Sequence, residues 1–282
     1  MLVELTYVMP TNISTHTPTY LLFNVGPRPK KQTLTMPETV KNHKPTPYHH
    51  GDLRTALIDA SVEMVADVGA DAFTLKGASQ IAGVSVAAPY RHFSDKSDLL
   101  HEVTERAFQM MATDMTVAST GLELGTLESI TAQGQAYVKF AADNPALFRL
   151  MCDNHGPTQD VNLETLFQKY QAETDTGGII SLLDIDDPDI MPKTMVENAP
   201  NQGIACFSIL LKGVAKFLDR HNLDVGETLA VATPMWSIVH GTAFLLIDHK
   251  FKNLTPTIDT NEMVATTTRY YLSGLLQEKK RH

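Results

Sequence analysis

Cysteine is nearly absent from this chain of 282 residues: Cys152 and Cys206 stand far apart, with no Cys-x-x-Cys pair. That excludes a disulfide framework and a cysteine-rich metal site, and each thiol reads as a small buried hydrophobe. Tryptophan occurs once, and aromatics make up 7% of the residues. No apolar run reaches the roughly 18 residues of a membrane span. No basic stretch, apolar core and small-residue cleavage site mark a secretory signal. A cytoplasmic protein with no membrane partner is expected. Alternating strand patterns are missing too. So are a nucleophile–base pair, a phosphate loop and a metal-ligand cluster, and the carboxylates are scattered. The expectation is a non-enzyme with no cofactor and no metal.

What is present fits a globular, α-helical chain, with 43% hydrophobic and 20% charged residues. It is long enough for one large or two modest domains around a substantial core. The net charge of −9 argues at first against nucleic acid, but its distribution does not. Residues 111–282 hold 13 Lys/Arg against 21 Asp/Glu, a balance of −8, and residues 41–110 hold 7 against 9, a balance of −2. Residues 28–44 reverse the sign, with Arg28, Lys30, Lys31, Lys41 and Lys44 against Glu38 alone. Seven prolines and no sustained period make residues 1–50 a flexible arm. The arm's cations suit a DNA backbone or minor groove; the competing reading takes Met36 as the start and residues 1–35 as not native. Tyr48, His49, His50 and Gly51 lead into the first helix, and no third ligand turns the histidine pair into a metal site.

The stretch LKGASQIAGVSVAAPYRHFSDKSDLL, from Leu75 to Leu100, organises the rest. A helix over about Asp52–Val68 precedes it, with Leu53, Leu57, Ala60, Met64 and Val68 as its apolar stripe and Gly69 as a left-handed C-cap. Thr74 can cap a short second helix that ends at Ile81 and Ala82. Gly83 sits where a tight turn needs positive φ, Val84 is the apolar plug, and Ser85 caps the next helix, which closes at Phe93. This is the layout of a helix-turn-helix, whose second helix enters the DNA major groove. Ala87 and Ala88 are small and let that helix approach base edges, and alanine methyls can meet thymine methyls. Tyr90, Arg91 and His92 all donate to phosphate oxygens. Pro89 is expected to cost only the earliest hydrogen bond of the helix. Ser94 is then expected to cap a further helix, in whose first turn Lys96 meets a phosphate. Thr74, Ser85, Val86, Ala87, Ala88, Tyr90, Arg91, His92 and Lys96 form the expected DNA face.

On the AGVS turn, the YRHF segment and the following DKSDLL, the run from Gly51 to Leu100 resembles the DNA-binding domain of TetR-family transcriptional regulators. Val86-Ala87-Ala88-Pro89 departs from the segment many members carry before the tyrosine, which leaves the operator sequence open. Further on, Trp236-Ser237-Ile238-Val239-His240-Gly241 resembles the Trp…His-Gly segment of one TetR C-terminal domain type, and PALFRLM at 145–151 is similar to it as well.

The remainder reads as helices over about Lys96–Ser119, Thr126–Ala142, a start at Pro145, Asn162–Ala172, Gln202–His221, Gly226–His249 and Asp259–Gln277. Loops are expected at Asp153–Gln159 and Met191–Asn201. The fold expected is all-α, with three parts: an arm over 1–47, a three-helix helix-turn-helix domain over 48–95, and a helical effector-binding and dimerisation bundle over 96–282. The resemblance implies a homodimer on a palindromic operator, repressing until a small-molecule effector binds. An activator, or a helical ligand-binding protein without DNA, is the alternative. Phe148, Met151, Phe167, Phe207, Trp236 and His240 are the candidate pocket lining. Trp236 and His240 lie four apart on one helix face. Gly241 is expected to permit close helix approach, and the competing reading makes both rings core packing, with His240 bonded to a backbone group.

Overall fold

A computed structural model describes residues 53–153, 202–254 and 258–281. The arm with Arg28, Lys30, Lys31, Lys41 and Lys44, the proposed start at Met36, the lead-in at Tyr48–Gly51, the 162–172 helix with Phe167, and the 191–201 loop lie outside these residues.

The chain opens with α1, Leu53–Ala72, which is interrupted at Gly69. Gly69 has positive φ (80°) as expected, but its ψ of 164° makes a sharp break and not a left-handed cap, and helical residues resume beyond it. Steps of four drift off a 3.6-residue period. The buried face of α1 holds Leu57, Ile58, Ala60, Ser61 and Val65, with Leu53 and Met64 packed partly buried beside it, and of the expected stripe only Val68 is left exposed.

Thr74 caps α2, Leu75–Ile81, its hydroxyl accepting from the Gly77 N–H at 3.1 Å. Gly83 follows at φ 67°, a conformation that other residues reach only with strain, and Val84 packs inward from the turn. The expected recognition helix differs. Only Pro89–Arg91 forms a 3₁₀ turn, led in by turns over 86–88. Pro89 has no N–H for the Ser85 carbonyl, and its ring crowds that carbonyl. The Ala88 N–H takes the bond at 2.9 Å instead, which tightens the coil from i+4 to i+3.

The long helix α3 runs Lys96–Ser119. Its cap is Asp95 and not Ser94: the Asp95 carboxylate accepts from the Asp98 N–H at 2.9 Å, and the Asp98 carboxylate reaches back to the Ser94 N–H at 2.8 Å. A charged acceptor at the positive helix end outcompetes a hydroxyl.

Helix α4, Leu127–Asp143, starts with a reciprocal capping box of Thr126 and Ser129. Pro145 opens α5, Pro145–Cys152, as its fixed φ allows. Then come α6, Gln202–Arg220; a 3₁₀ turn at Val225–Glu227; α7, Thr228–Ile247; a short α8, Lys250–Leu254; and α9, Thr260–Lys279, capped by Asp259. No strand occurs among the described residues.

Helix α4 lies at the centre, against α3, α7 and α9, while α6 packs on α3 and α7, and both α3 and α5 pack on α1. Two apolar cores result. One runs from Leu57, Val65 and Phe93 through Val103 and Met111 to Phe140, Leu147 and Phe148. The other gathers Ile130, Leu210, Val214, Phe217, Met235 and Leu272. Helix α7 corrects the expectation that nothing could span a membrane. Val225–Ile247 is long and apolar enough by length and composition, although 33% of its most apolar window is buried here against the other helices. Gly241, expected to allow close approach, meets nothing: a Cβ there has no neighbour within 4 Å.

Candidate functional site

The first site is the exposed edge formed by the turn after α2. Ser85, Val86, Ala87, Tyr90, Arg91 and His92 all face solvent, with Tyr90 62% exposed. Ala88 and Pro89 turn inward and are buried, so the Ala88 methyl is not on this edge. Phe93, 3% exposed, anchors the segment under the Arg54 guanidinium, 5.5 Å away. Arg54 in turn pairs with Glu102 on α3 at 2.7 Å. Thr74 stays exposed at the cap of α2.

Lys96 is placed differently from the expectation. Its ammonium donates to the carbonyls of Ala70 at 3.1 Å and Asp71 at 3.4 Å, and stands 5.8 Å above the Phe73 ring. It holds the last turn of α1 to the start of α3, where a cation meets the negative helix end. Its partners lie some 25 residues upstream, so local sequence gave no sign of them.

The second site is a cavity of about 510 Å³ between the two cores. Phe108, Met111 and Met115 of α3, Phe148, Met151 and Cys152 of α5, and Met235, Trp236 and His240 of α7 line it, with α4, α6 and α9 closing the rest. Five of the six residues expected to line a pocket meet here: Phe148, Met151, Phe207, Trp236 and His240. Their rings interlock, with Trp236 stacked on His240 at 4.8 Å, Phe207 edge-on to Trp236 at 6.0 Å, and Phe148 5.8 Å from His240.

His240 is bonded through Nδ1 to the Tyr137 hydroxyl at 2.8 Å, not to a backbone group. Burial lowers the His240 pKa and raises that of Tyr137, so both stay neutral near pH 7. Both cysteines line this cavity. Burial pushes Cys152 up to about 11, although the residue keeps exposed surface, and Cys206 up to about 12. The Cys206 thiol donates to the Phe108 carbonyl at 3.1 Å. Gln133 and Tyr137, one helical turn apart on α4, are lining residues that the sequence did not single out. Their spacing and their place on an apolar face were the available signal. Among the described residues no group of three or more His, Cys, Asp or Glu could hold a metal ion.

Residues 57–103, which hold the turn, the exposed edge and the start of α3, match the family model for bacterial regulatory proteins of the tetR family. The module is TetR-like. The all-α fold extends the likeness. A protein of unknown function from Rhodococcus sp. RHA1 is 22% identical, covering 82% of this chain and 98% of its own, with a TM-score of 0.57. A tetR-family transcriptional regulator from Streptomyces coelicolor is 13% identical over 82% and 85%, with a TM-score of 0.53. SCO7222, a TetR from the same organism, is 13% identical over 79% and 97%, with a TM-score of 0.51. No curated protein matches the chain in sequence. The matched TetR-like module, together with this fold, supports a DNA-binding transcriptional regulator.

Proposed function

We propose that the protein is a homodimeric transcriptional repressor that reads a palindromic operator through the edge at 85–92 and releases it when a small molecule fills the cavity. In this reading 1–47 is a basic arm, 48–95 the DNA module and 96–282 the effector and dimerisation region of a cytoplasmic protein.

The observation that carries the reading is a shared wall. Helices α3 and α5 both line the cavity and both pack on α1 of the DNA module. A ligand that fits better when α3 and α5 are displaced favours a form with the recognition edges at another separation, and weakens DNA binding by its differential affinity for the two forms. Helix α3 was the lever legible in the sequence, and α5 joins it here.

Dimerisation has its own support. Ala230, Pro234, Ile238, Gly241 and Leu245 recur at steps of three and four along α7, all exposed, and Tyr270 and Gly274 lie exposed on α9. A two-fold pairing of these helices would bury that stripe, and reading successive turns of a duplex requires it to hold the two edges about 34–36 Å apart.

The test is selection of random duplex DNA by the full chain, with Tyr90→Ala plus Arg91→Ala as the comparison. Lys96 is left alone because its bonds are structural. An enriched palindrome lost in the variant is expected. No enrichment, or equal enrichment by the variant, overturns the DNA reading and favours a ligand-binding protein. Transcription that rises when the operator is occupied points to an activator instead.

A further inference from the structure

Resting on the effector reading above, we propose that the cavity selects an uncharged, mainly apolar molecule that carries a hydrogen-bond donor such as a hydroxyl, received by the Gln133 side-chain carbonyl. Gln133 is 2% exposed and lines the cavity, and its Oε1 has no hydrogen-bond partner. Buried acceptors left unpaired are rare in folded proteins, and one carried by a side chain that lines a cavity is the group a ligand's donor would satisfy.

Four other polar side chains of the lining are already engaged. Thr233 and Thr267 donate to carbonyls of their own helices, Cys206 to the Phe108 carbonyl, and Tyr137 is bonded to His240. Gly213 on α6 leaves room for the amide: a Cβ there would stand 3.2 Å from Oε1.

Charge decides against an acid. The described lining holds no Lys, Arg, Asp or Glu, and its one imidazole is kept neutral by burial. A carboxylate entering would lose its hydration with no cation to receive it. The wall of Phe148, Phe207 and Trp236 suits an apolar body, and the volume falls within the roughly 300–1,000 Å³ of small-molecule sites.

Trp236 is the chain's single tryptophan and part of the wall, so its emission reports on the cavity directly. The full chain is titrated at neutral pH with decan-1-ol, decyl methyl ether and decanoate. The alcohol should shift the emission and bind about tenfold more tightly than the ether, with decanoate weakest. Gln133→Leu should bring the alcohol down to the affinity of the ether and leave the ether unchanged. Gln133→Met serves if the first variant does not fold, and the wild-type series decides alone if neither does. An ether or decanoate that binds as tightly as the alcohol, silence from all three, or an alcohol preference that survives the variant overturns the proposal. The readout needs no DNA, so failure of operator selection leaves it standing. Alcohol binding that does not weaken operator binding overturns the release reading alone.

Discussion

His240 gathers more of the cavity's chemistry than any other side chain. It stacks on Trp236, touches Phe148 and Phe244, and shares a hydrogen bond with Tyr137. Burial makes the folded protein a poorer proton acceptor at this ring than the unfolded chain, whose histidines titrate near 6.5. As pH falls below about 6.5 the unfolded chain therefore takes up the proton first. The stability tied to neutral His240 is present above that pH and is lost below it, until the folded ring protonates too. Urea midpoints of the wild type should drop more between about pH 7.5 and 5.5 than those of His240→Gln, and parallel curves would remove His240 from this role. The thiols follow the same logic in the opposite direction. With Cys152 up to about 11 and Cys206 up to about 12, both are protonated at neutral pH and are poor nucleophiles.

Among the elements, the segment around Pro89 separates what was legible in the sequence from what was not. Helix starts were readable at Thr74, Thr126, Pro145 and Asp259, where a cap or a proline stands. The recognition segment was misread because the effect of Pro89 depends on the Ser85 carbonyl having no other donor than the Ala88 N–H. Competition between two adjacent caps hid the role of Asp95. In the cavity, Trp236 and His240 were visible from their four-residue spacing. Gln133 and Tyr137 were not, because a polar side chain on an amphipathic stripe looks the same whether it faces solvent or a hollow. Pro89→Ala tests the tightened turn. Restoring the N–H lets 86–92 wind at 3.6 residues per turn instead of 3.0, which rotates Tyr90, Arg91 and His92 relative to one another. Operator affinity should fall about tenfold or more, while stability changes by roughly 1 kcal/mol. Unchanged affinity in a titration would mean the 3₁₀ geometry is incidental.

Over the whole molecule, the decisive feature is that α7 has two apolar sides and only one of them is covered. Its inner side packs on α4 and α6, while Ile238 and Leu245 stay exposed. Ile238→Glu with Leu245→Glu should give a monomer by light scattering, still helical, that binds a palindrome no better than a single half-site. A double variant that remains dimeric places the interface elsewhere. The arrangement of two cores with a hollow between them also bears on divergence. Leu210 and Phe148 belong at once to a core and to the cavity wall, so trimming them to admit another molecule costs packing of about 2–5 kcal/mol each, out of a total of about 5–15. Trp236 and Cys152 touch the same hollow yet keep exposed surface. Descendants of this chain should therefore change their chemical preference first at those outer positions, with the inner walls following only after stability has been gained elsewhere.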